Sequence, residues 1–111
     1  MYEPKEYSVY NDRYSLSTTS QEMRMSHWVD TPIVRDKRTQ QIVLDLSNSS
    51  WHLLEWEEDS SDLTLTLAKY PSLADRHKVY FNFASMLARF DDEDFSFREL
   101  SMKMREWRNR G

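Results

Sequence analysis

The residues best suited to do chemistry in this chain form an acidic cluster that follows a stretch of alternating apolar residues. Its members are Glu55, Glu57, Glu58, Asp59 and Asp62. Acid–base catalysis needs at least one carboxyl group in an apolar pocket that raises its pKa. Consecutive carboxylates around a turn are expected to be exposed to water, so they lack the apolar pocket that acid–base catalysis needs. Together with Trp51 and Trp56 they predict a surface that binds a basic partner, because carboxylates supply complementary charge and tryptophans supply contact area.

Metal chemistry has few candidate ligands. A histidine-only zinc or iron site would need His27, His52 and His77 together, and none of them has a second histidine at the spacing of helical metal motifs. The chain has no cysteine, which excludes thiolate ligands, disulfides and thiol nucleophiles. The acidic run 91–94 lacks the glycine and the glutamate register of a calcium loop. We therefore expect no metal and no cofactor.

The shortage of glycine argues against most nucleotide-dependent enzymes. Gly111 is the only glycine, whereas phosphate-binding loops need several glycines to reach positive φ and to approach the anion closely. A Ser-His-Asp triad would need a nucleophile on a sharp turn beside oxyanion donors, and no segment shows that pattern. Because no nucleophile, base and orienting group cluster in the sequence, we predict that the protein is not an enzyme.

Charge is distributed unevenly along the chain. Residues 51–94 hold four Lys or Arg against ten Asp or Glu, whereas residues 95–111 hold five against two. In the basic segment, Arg105, Arg108 and Arg110 could contact nucleic-acid phosphates. The net charge of −4 argues against that use, and no helix-turn-helix spacing or RNA-binding aromatic motif accompanies it. An accessory protein that binds nucleic acid through these arginines is therefore the alternative hypothesis.

The elements that position the acidic cluster are two predicted strands. Over residues 51–56 and 63–68 the side-chain types repeat with a period of two, as they do in β-strands. These two segments flank a polar, turn-favouring segment, which is the pattern of a β-hairpin over residues 51–70. Residues 42–46 predict a preceding strand, and residues 47–50 a turn. Short turns between successive strands predict antiparallel neighbours, and hence a meander.

Three other segments are harder to assign. Residues 1–20 hold apolar residues around Asn11 and Asp12, which predicts a small hairpin on a two-residue turn in an N-terminal arm that could move. Residues 23–29 fit a strand or one helical turn. Residues 73–90 have helical periodicity, but their dense Val, Tyr and Phe favour a strand over 79–83 that could continue to Leu87. We favour the strand because it extends the meander.

The last predicted element is an amphipathic helix over residues 96–109. Ser96 and Glu99 form a capping box, and Phe95 and Leu100 occupy the two positions of a hydrophobic staple. One face of the helix carries Phe97, Leu100, Met104 and Trp107. Such a stripe is expected to pack against one face of a sheet.

These elements predict an α+β fold, with one antiparallel meander of about four to six strands and the C-terminal amphipathic helix packed on one face. Residues 21–111 are expected to form a single α+β domain that follows the arm at 1–20. No apolar run is long enough to span a membrane, and the N-terminus shows no signal peptide, so we expect a cytoplasmic protein without membrane contact. The function predicted is that of a small, acidic, non-catalytic protein-interaction domain, such as an immunity- or antitoxin-like inhibitor of a basic partner.

Overall fold

The computed structural model describes residues 6–23, 28–60, 62–72 and 74–107. Within these ranges the chain forms nine strands and one helix. They are β1 (Glu6–Val9), β2 (Tyr14–Glu22), β3 (Trp28–Asp36), β4 (Ile42–Asp45), β5 (Trp51–Asp59), β6 (Asp62–Lys69), β7 (Arg76–Asn82), β8 (Leu87–Phe90), β9 (Glu93–Ser96) and α1 (Phe97–Glu106). No helix in the described chain is long and apolar enough to cross a membrane.

The described strands form two antiparallel sheets, so the prediction of a single sheet is wrong. β1 to β4 form a four-stranded meander, and β5 to β9 form a five-stranded one. β4 does not pair with β5, and α1 contacts its outer edge instead. There the backbone N–H of Asp45 donates to the Ser101 hydroxyl (2.9 Å), and Arg105 Nη2 donates to the Asp45 carbonyl (3.0 Å). The α+β class and the antiparallel strands with a C-terminal helix are confirmed.

Aspartate and asparagine occupy several of the positive-φ turn positions that glycine fills in most proteins. Asp91 (φ 55°) and Asp92 (φ 61°) join β8 to β9 in a two-residue turn, and both adopt the left-handed conformation that Asp and Asn tolerate best after glycine. The acidic run 91–94 is therefore a hairpin turn followed by the start of a strand. Near the N-terminus, Asn11 (φ 53°) and Asp12 (φ 65°) lie in the connection between β1 and β2.

The N-terminal segment is part of the first sheet from residue 6 onward. The predicted hairpin around Asn11 is present, with four residues between β1 and β2 rather than two. Val9, Tyr14 and Leu16 from this segment are buried in the main core. The prediction of a strand or helical turn over residues 23–29 falls partly on residues 24–27, which lie outside the described residues; β3 begins directly after them.

The ambiguous segment 73–90 forms strand, as predicted, but it contains two strands, β7 and β8, where one was predicted. The first strand, β7, ends at Asn82 rather than continuing to Leu87. Its termination has a local cause, because the Asn82 side-chain carbonyl accepts hydrogen bonds from the Ser85 backbone N–H (2.8 Å) and the Ser85 hydroxyl (3.0 Å). A side-chain bond of this kind closes a turn, and Leu87 then begins β8.

One hydrophobic core joins both sheets and the helix. The Tyr14 ring from β2 stacks on the Phe83 ring, which follows β7, with centroids 4.1 Å apart. Phe97 of α1 contacts Phe81 of β7 at 5.8 Å between centroids. The most deeply buried large side chains include Leu16, Leu44, Leu46, Trp51, Leu63, Leu65, Leu67, Phe81, Leu100 and Met104. Leu63, Leu65 and Leu67 of β6 are all 0% exposed and share one face of the strand, which points into this core.

The helix is shorter than predicted and contacts both sheets rather than one face of a single sheet. It spans Phe97–Glu106, and Trp107 follows it with an extended backbone (φ −62°, ψ 133°). Ser96 is the N-cap residue, but its hydroxyl bonds the Glu99 carboxylate (2.9 Å) and makes no side-chain bond to the backbone of α1. Phe97, Leu100 and Met104 are buried as the stripe predicted. Residues 108 and 109 lie outside the described residues.

Asp36, at the end of β3, is a buried carboxylate with a structural role. It accepts hydrogen bonds from the backbone N–H groups of Arg38 (2.9 Å) and Thr39 (3.4 Å), and it pairs with Arg13 Nη2 at 3.5 Å. Burial opposes ionisation of this group, but the two backbone donors and Arg13 outweigh burial and hold the pKa of Asp36 below its usual value.

The lowered pKa of Asp36 predicts a loss of stability in acid. A carboxyl whose pKa is lower in the folded state stabilises the fold fully above its unfolded pKa, and the stabilisation disappears as the pH falls through the folded pKa. We expect Asp36→Asn to lower the free energy of unfolding by about 1 to 2 kcal/mol at pH 7 and by less at pH 3. Urea unfolding at both pH values measures this, with Asp59→Asn as an exposed control; equal losses at the two pH values would contradict it.

Candidate functional site

The five-stranded sheet has one face on the core and one face toward solvent. Leu65 and Val79 are paired across β6 and β7 and are both fully buried. Neighbouring residues along a strand point to opposite faces, so the alternate positions point outward. We call these positions the outer face. It comprises Glu55, Glu57, Asp59, Asp62, Thr64, Thr66, Arg76, Lys78, Tyr80, Asn82, Leu87, Arg89, Asp94 and Ser96, of which Thr66 is covered by its neighbours and only 4% exposed.

The strand register arranges the outer face in rows that cross the sheet. One row runs from β5 to β9 through Glu57, Thr64, Tyr80, Arg89 and Asp94. The next row runs through Asp59, Asp62, Asn82, Leu87 and Ser96. Near the middle of these rows Tyr80 is 47% exposed and Leu87 is 44% exposed. The rows therefore begin with carboxylates at β5 and reach an exposed aromatic and an exposed aliphatic side chain two or three strands away.

Charge on the outer face is compensated at some positions and not at others. Arg89 Nε bonds Asp94 Oδ1 at 3.0 Å, and this hydrogen bond raises the pKa of the Arg89 guanidinium. Arg76 Nη1 reaches across β6 to Glu55 Oε1 at 3.9 Å, a loose pair between exposed side chains. In the described part of the chain, Glu57 and Asp59 have no ion-pair partner. The β5 end of the outer face therefore carries net negative charge.

Asp62 adds to this negative end. Its carboxylate accepts a hydrogen bond from the Asn82 amide (2.9 Å), which orients the carboxylate without neutralising it. Asp62 also lies directly opposite Asp59 across the β5–β6 ladder. We call Glu57, Asp59 and Asp62 the acidic end of the outer face.

The seven predicted partner-binding residues divide between the two faces of the sheet. Glu55, Glu57, Asp59 and Asp62 lie on the outer face. Trp56 and Glu58 lie on the other face, where the Trp56 ring contacts the Tyr7 ring with centroids 5.1 Å apart and the Glu58 carboxylate accepts a hydrogen bond from the Tyr10 backbone N–H. Those two residues join β5 to the first sheet.

Trp51 requires a correction. It is 0% exposed, and its indole N–H donates to the Met104 carbonyl at 2.9 Å. It therefore has no surface to offer a partner and belongs to the core. The physical reason is the irregularity in register between Leu53 and Glu55. This irregularity shifts the alternation by one residue, so that Trp51, Leu53, Trp56 and Glu58 share the inner side.

The outer-face residues Tyr80, Leu87 and Arg89 did not figure in the sequence-based site. A signal for Tyr80 was available, since a strand over 79–83 places Tyr80 on the face opposite Val79 and Phe81. Leu87 and Arg89 could not be placed because the start of β8 was not predicted.

Of the three arginines in the nucleic-acid hypothesis, the described residues include only Arg105. Arg105 Nη2 donates to the carbonyls of Asp45 (3.0 Å) and Ser47 (2.8 Å), so this side chain ties α1 to the link between the sheets. Arg108 and Arg110 lie outside the described residues. Arg105 thus has a structural role that is independent of any nucleic acid.

The histidines are also engaged in structural contacts. His52 Nδ1 accepts a hydrogen bond from the Asp30 backbone N–H (2.8 Å), which links β5 to β3. His77 packs edge-on against the rings of Trp51 and Trp107, with centroids 5.5 and 4.6 Å away. His27 lies outside the described residues. Among the residues that the structure describes, no three His, Asp or Glu side chains form a group that could hold a metal ion.

The fold and the outer face define an α+β protein with two antiparallel sheets, a C-terminal helix and a partly acidic sheet surface. Comparison with protein-family models, curated proteins and solved structures finds no match to this chain. The functional argument therefore depends on the geometry of the outer face.

Proposed function

We propose that this protein is a non-catalytic protein-binding domain that uses its outer face against a basic surface of a partner protein. The observation that carries the proposal is the juxtaposition of exposed Tyr80 and Leu87 with the acidic end. Protein interfaces combine a few aromatic and aliphatic anchors with polar residues around them. The outer face has this composition.

The two parts of the outer face contribute differently to binding. Tyr80 and Leu87 supply apolar contact area, which a partner must cover to gain affinity. Glu57, Asp59 and Asp62 supply charge complementarity, which increases the association rate and rejects acidic partners. All five residues lie on β-strands or at strand ends, so little backbone conformational entropy is lost when a partner binds.

An inhibitor of the immunity or antitoxin type is the kind of protein-binding domain that this surface suits best. Enzymes and proteins that act on nucleic acids present basic grooves for phosphates. A row of carboxylates held on a sheet can occupy such a groove in place of phosphates, while a tyrosine beside it adds contact area. The proposed partner is therefore a protein with a basic binding groove.

Charge reversal tests this proposal. Glu57→Lys, Asp59→Lys and Asp62→Lys together are expected to weaken partner binding by about a hundredfold or more, because several charge pairs become repulsive. The reversal preserves the like-charge character of the cluster, so the fold should remain intact. The matched control reverses three exposed acids elsewhere, Glu22, Glu93 and Glu106, and should bind normally.

The measurement is affinity capture from the native cell with mass spectrometry, followed by titration of the captured protein. Loss of a basic partner with the acidic-end variant alone supports the proposal. Equal capture by both variants would overturn it. Salt-sensitive binding to bulk nucleic acid without a protein partner, lost when Arg108 and Arg110 are changed to Glu while the structurally engaged Arg105 is kept, would establish the alternative function instead.

A further inference from the structure

A second candidate site is a cavity between the start of β4, the first turns of α1 and the segment that precedes β8. Its volume is about 770 Å³, which lies in the range of small-molecule sites. Its apolar lining comes from Tyr14, Ile42, Val43, Met86 and Phe97. Apart from Ser96, none of the residues that line it belongs to the outer face, so the cavity is separate from the proposed partner-binding surface.

The buried part of the cavity wall is aromatic and is fixed by the core. Tyr14 is 1% exposed, and its ring stacks on the Phe83 ring at 4.1 Å between centroids. The Phe97 ring is also buried and packs against Phe83 at 5.9 Å between centroids. Both rings are in place before a ligand enters, so binding requires no rearrangement of the core.

The outer part of the cavity wall is aliphatic. Ile42 and Met86 each leave about half of their surface exposed, and both line the cavity. A ligand that covers these two side chains removes apolar surface from water, which favours binding by a molecule with an apolar body.

The Tyr14 hydroxyl is a donor without a partner. It makes no hydrogen bond within the described chain, although Tyr14 lies almost wholly in the core. Among the described residues, the fully enclosed side-chain atoms without a partner are Arg13 Nε and Gln21 Oε1. The Tyr14 hydroxyl is not one of them, so it keeps some accessible surface, and Tyr14 lines the cavity. Because buried polar groups are almost always paired, an acceptor on a ligand would complete its hydrogen bonding.

The protonation state of Tyr14 suits this role. Burial raises the pKa of its hydroxyl above the usual value, since an apolar environment disfavours the charged phenolate. The group therefore remains a protonated donor at neutral pH.

The charges around the cavity are balanced. Its charged lining residues are Asp36, Arg98 and Glu99. Asp36 is paired with Arg13 at 3.5 Å, and Arg98 and Glu99 are exposed and of opposite sign. A charged ligand would lose hydration without meeting an excess of opposite charge, so the cavity favours an uncharged molecule.

We propose that this cavity binds a small uncharged molecule with an apolar body and a hydrogen-bond acceptor such as a carbonyl oxygen. The acceptor bonds the Tyr14 hydroxyl, and the apolar body covers Ile42 and Met86. The proposal goes beyond the partner-binding function and is independent of it. For a ligand of roughly a dozen non-hydrogen atoms, the expected dissociation constant is about 1 mM.

Three probes of matched shape test the charge of the ligand. Benzylacetone is an uncharged ketone, hydrocinnamate has a carboxylate in place of its acetyl group, and the corresponding primary amine has an ammonium group in place of its carbonyl. We expect both ions to bind at least about fivefold more weakly than the ketone, because they lose more hydration on entering the cavity. An ion that binds as tightly as benzylacetone would overturn the assignment of an uncharged ligand.

The readout is the methyl signal of Met86 in carbon-13 NMR spectra of the full chain, assigned with Met86→Leu. Met102 is the internal control, because it is also about half exposed but does not line the cavity. We expect benzylacetone to shift the Met86 signal in a saturable manner and to leave the Met102 signal in place. No shift of Met86 at about five times the expected dissociation constant, or equal shifts of both methionines, would overturn the proposal.

Tyr14→Phe tests the hydrogen bond, because it removes the hydroxyl and keeps the ring. This variant should bind benzylacetone about fivefold more weakly than the parent protein. Its stability to urea should be unchanged, since the hydroxyl has no partner in the described chain. Tyr7→Phe is the matched control, because Tyr7 is an exposed residue of β1 that does not line the cavity. Equal affinities of the two variants would overturn the role of the Tyr14 hydroxyl.

Discussion

Trp51→Ala is expected to lower the free energy of unfolding by about 4 kcal/mol, the largest effect of any single substitution considered for this protein. The side chain is 0% exposed and contacts His77, Phe90 and Trp107, so its removal leaves a cavity that rigid neighbours cannot fill. It also leaves the Met104 carbonyl without its indole donor. A loss of this size is a large part of the stability of an ordinary domain and should lower the melting temperature by roughly 15 °C.

Trp28→Ala is the matched control for Trp51. Trp28 begins β3 and is 57% exposed, so its replacement should change the free energy of unfolding by less than about 1 kcal/mol. Chemical denaturation of the two variants under the same conditions gives the comparison. Trp51→Phe separates packing from hydrogen bonding, because it keeps a ring and removes the donor; we expect about half the loss of Trp51→Ala. Similar losses in Trp28→Ala and Trp51→Ala would contradict the position of Trp51 in the core.

Met104→Ala is expected to destabilise the protein by about 3 kcal/mol. Met104 is 0% exposed and belongs to the core between α1 and the two sheets, so its truncation weakens the attachment of the helix. Because α1 covers the edge of β4, weaker attachment should also expose the Asp45 amide to solvent. Hydrogen exchange at Asp45 should therefore accelerate along with the loss of stability.

Met102→Ala provides the control on the same helix, with the same change in side-chain size. Met102 is 54% exposed, and alanine has a higher helix propensity than methionine, so this variant should be as stable as the parent protein or slightly more stable. The pair is compared by urea denaturation and by exchange at Asp45. Equal losses in the two variants would show that the two methionines are equally buried, contrary to the structure.

Much of the local structure was predictable because it depends on neighbouring residues. The hairpin that carries the acidic cluster, the strand over 79–83 and the C-terminal helix each have a repeating apolar pattern of the correct period. The start of β8 and all of β9 were missed. Their turn uses two aspartates in the left-handed conformation, where a sequence pattern normally shows glycine.

The candidate site was predictable only in part. Four of the predicted acids lie on the outer face, since a strand exposes alternate residues. Trp51 was misplaced because the alternation in β5 shifts between Leu53 and Glu55, and a register irregularity leaves no mark in residue type. Tyr80, Leu87 and the acidic end come together only through the pairing of four strands, which depends on contacts between residues distant in the chain.

The sequence by itself determined the class of structure, the main hairpin, the helix and the exclusion of cysteine chemistry, since each follows from residue types or from short-range periodicity. Only the tertiary structure decided that the strands divide into two sheets. Where β4 ends, its outer edge is contacted by α1 through Ser101 and Arg105, nearly sixty residues later in the chain. Contacts of such long range depend on packing of the whole chain, and local pattern does not specify them.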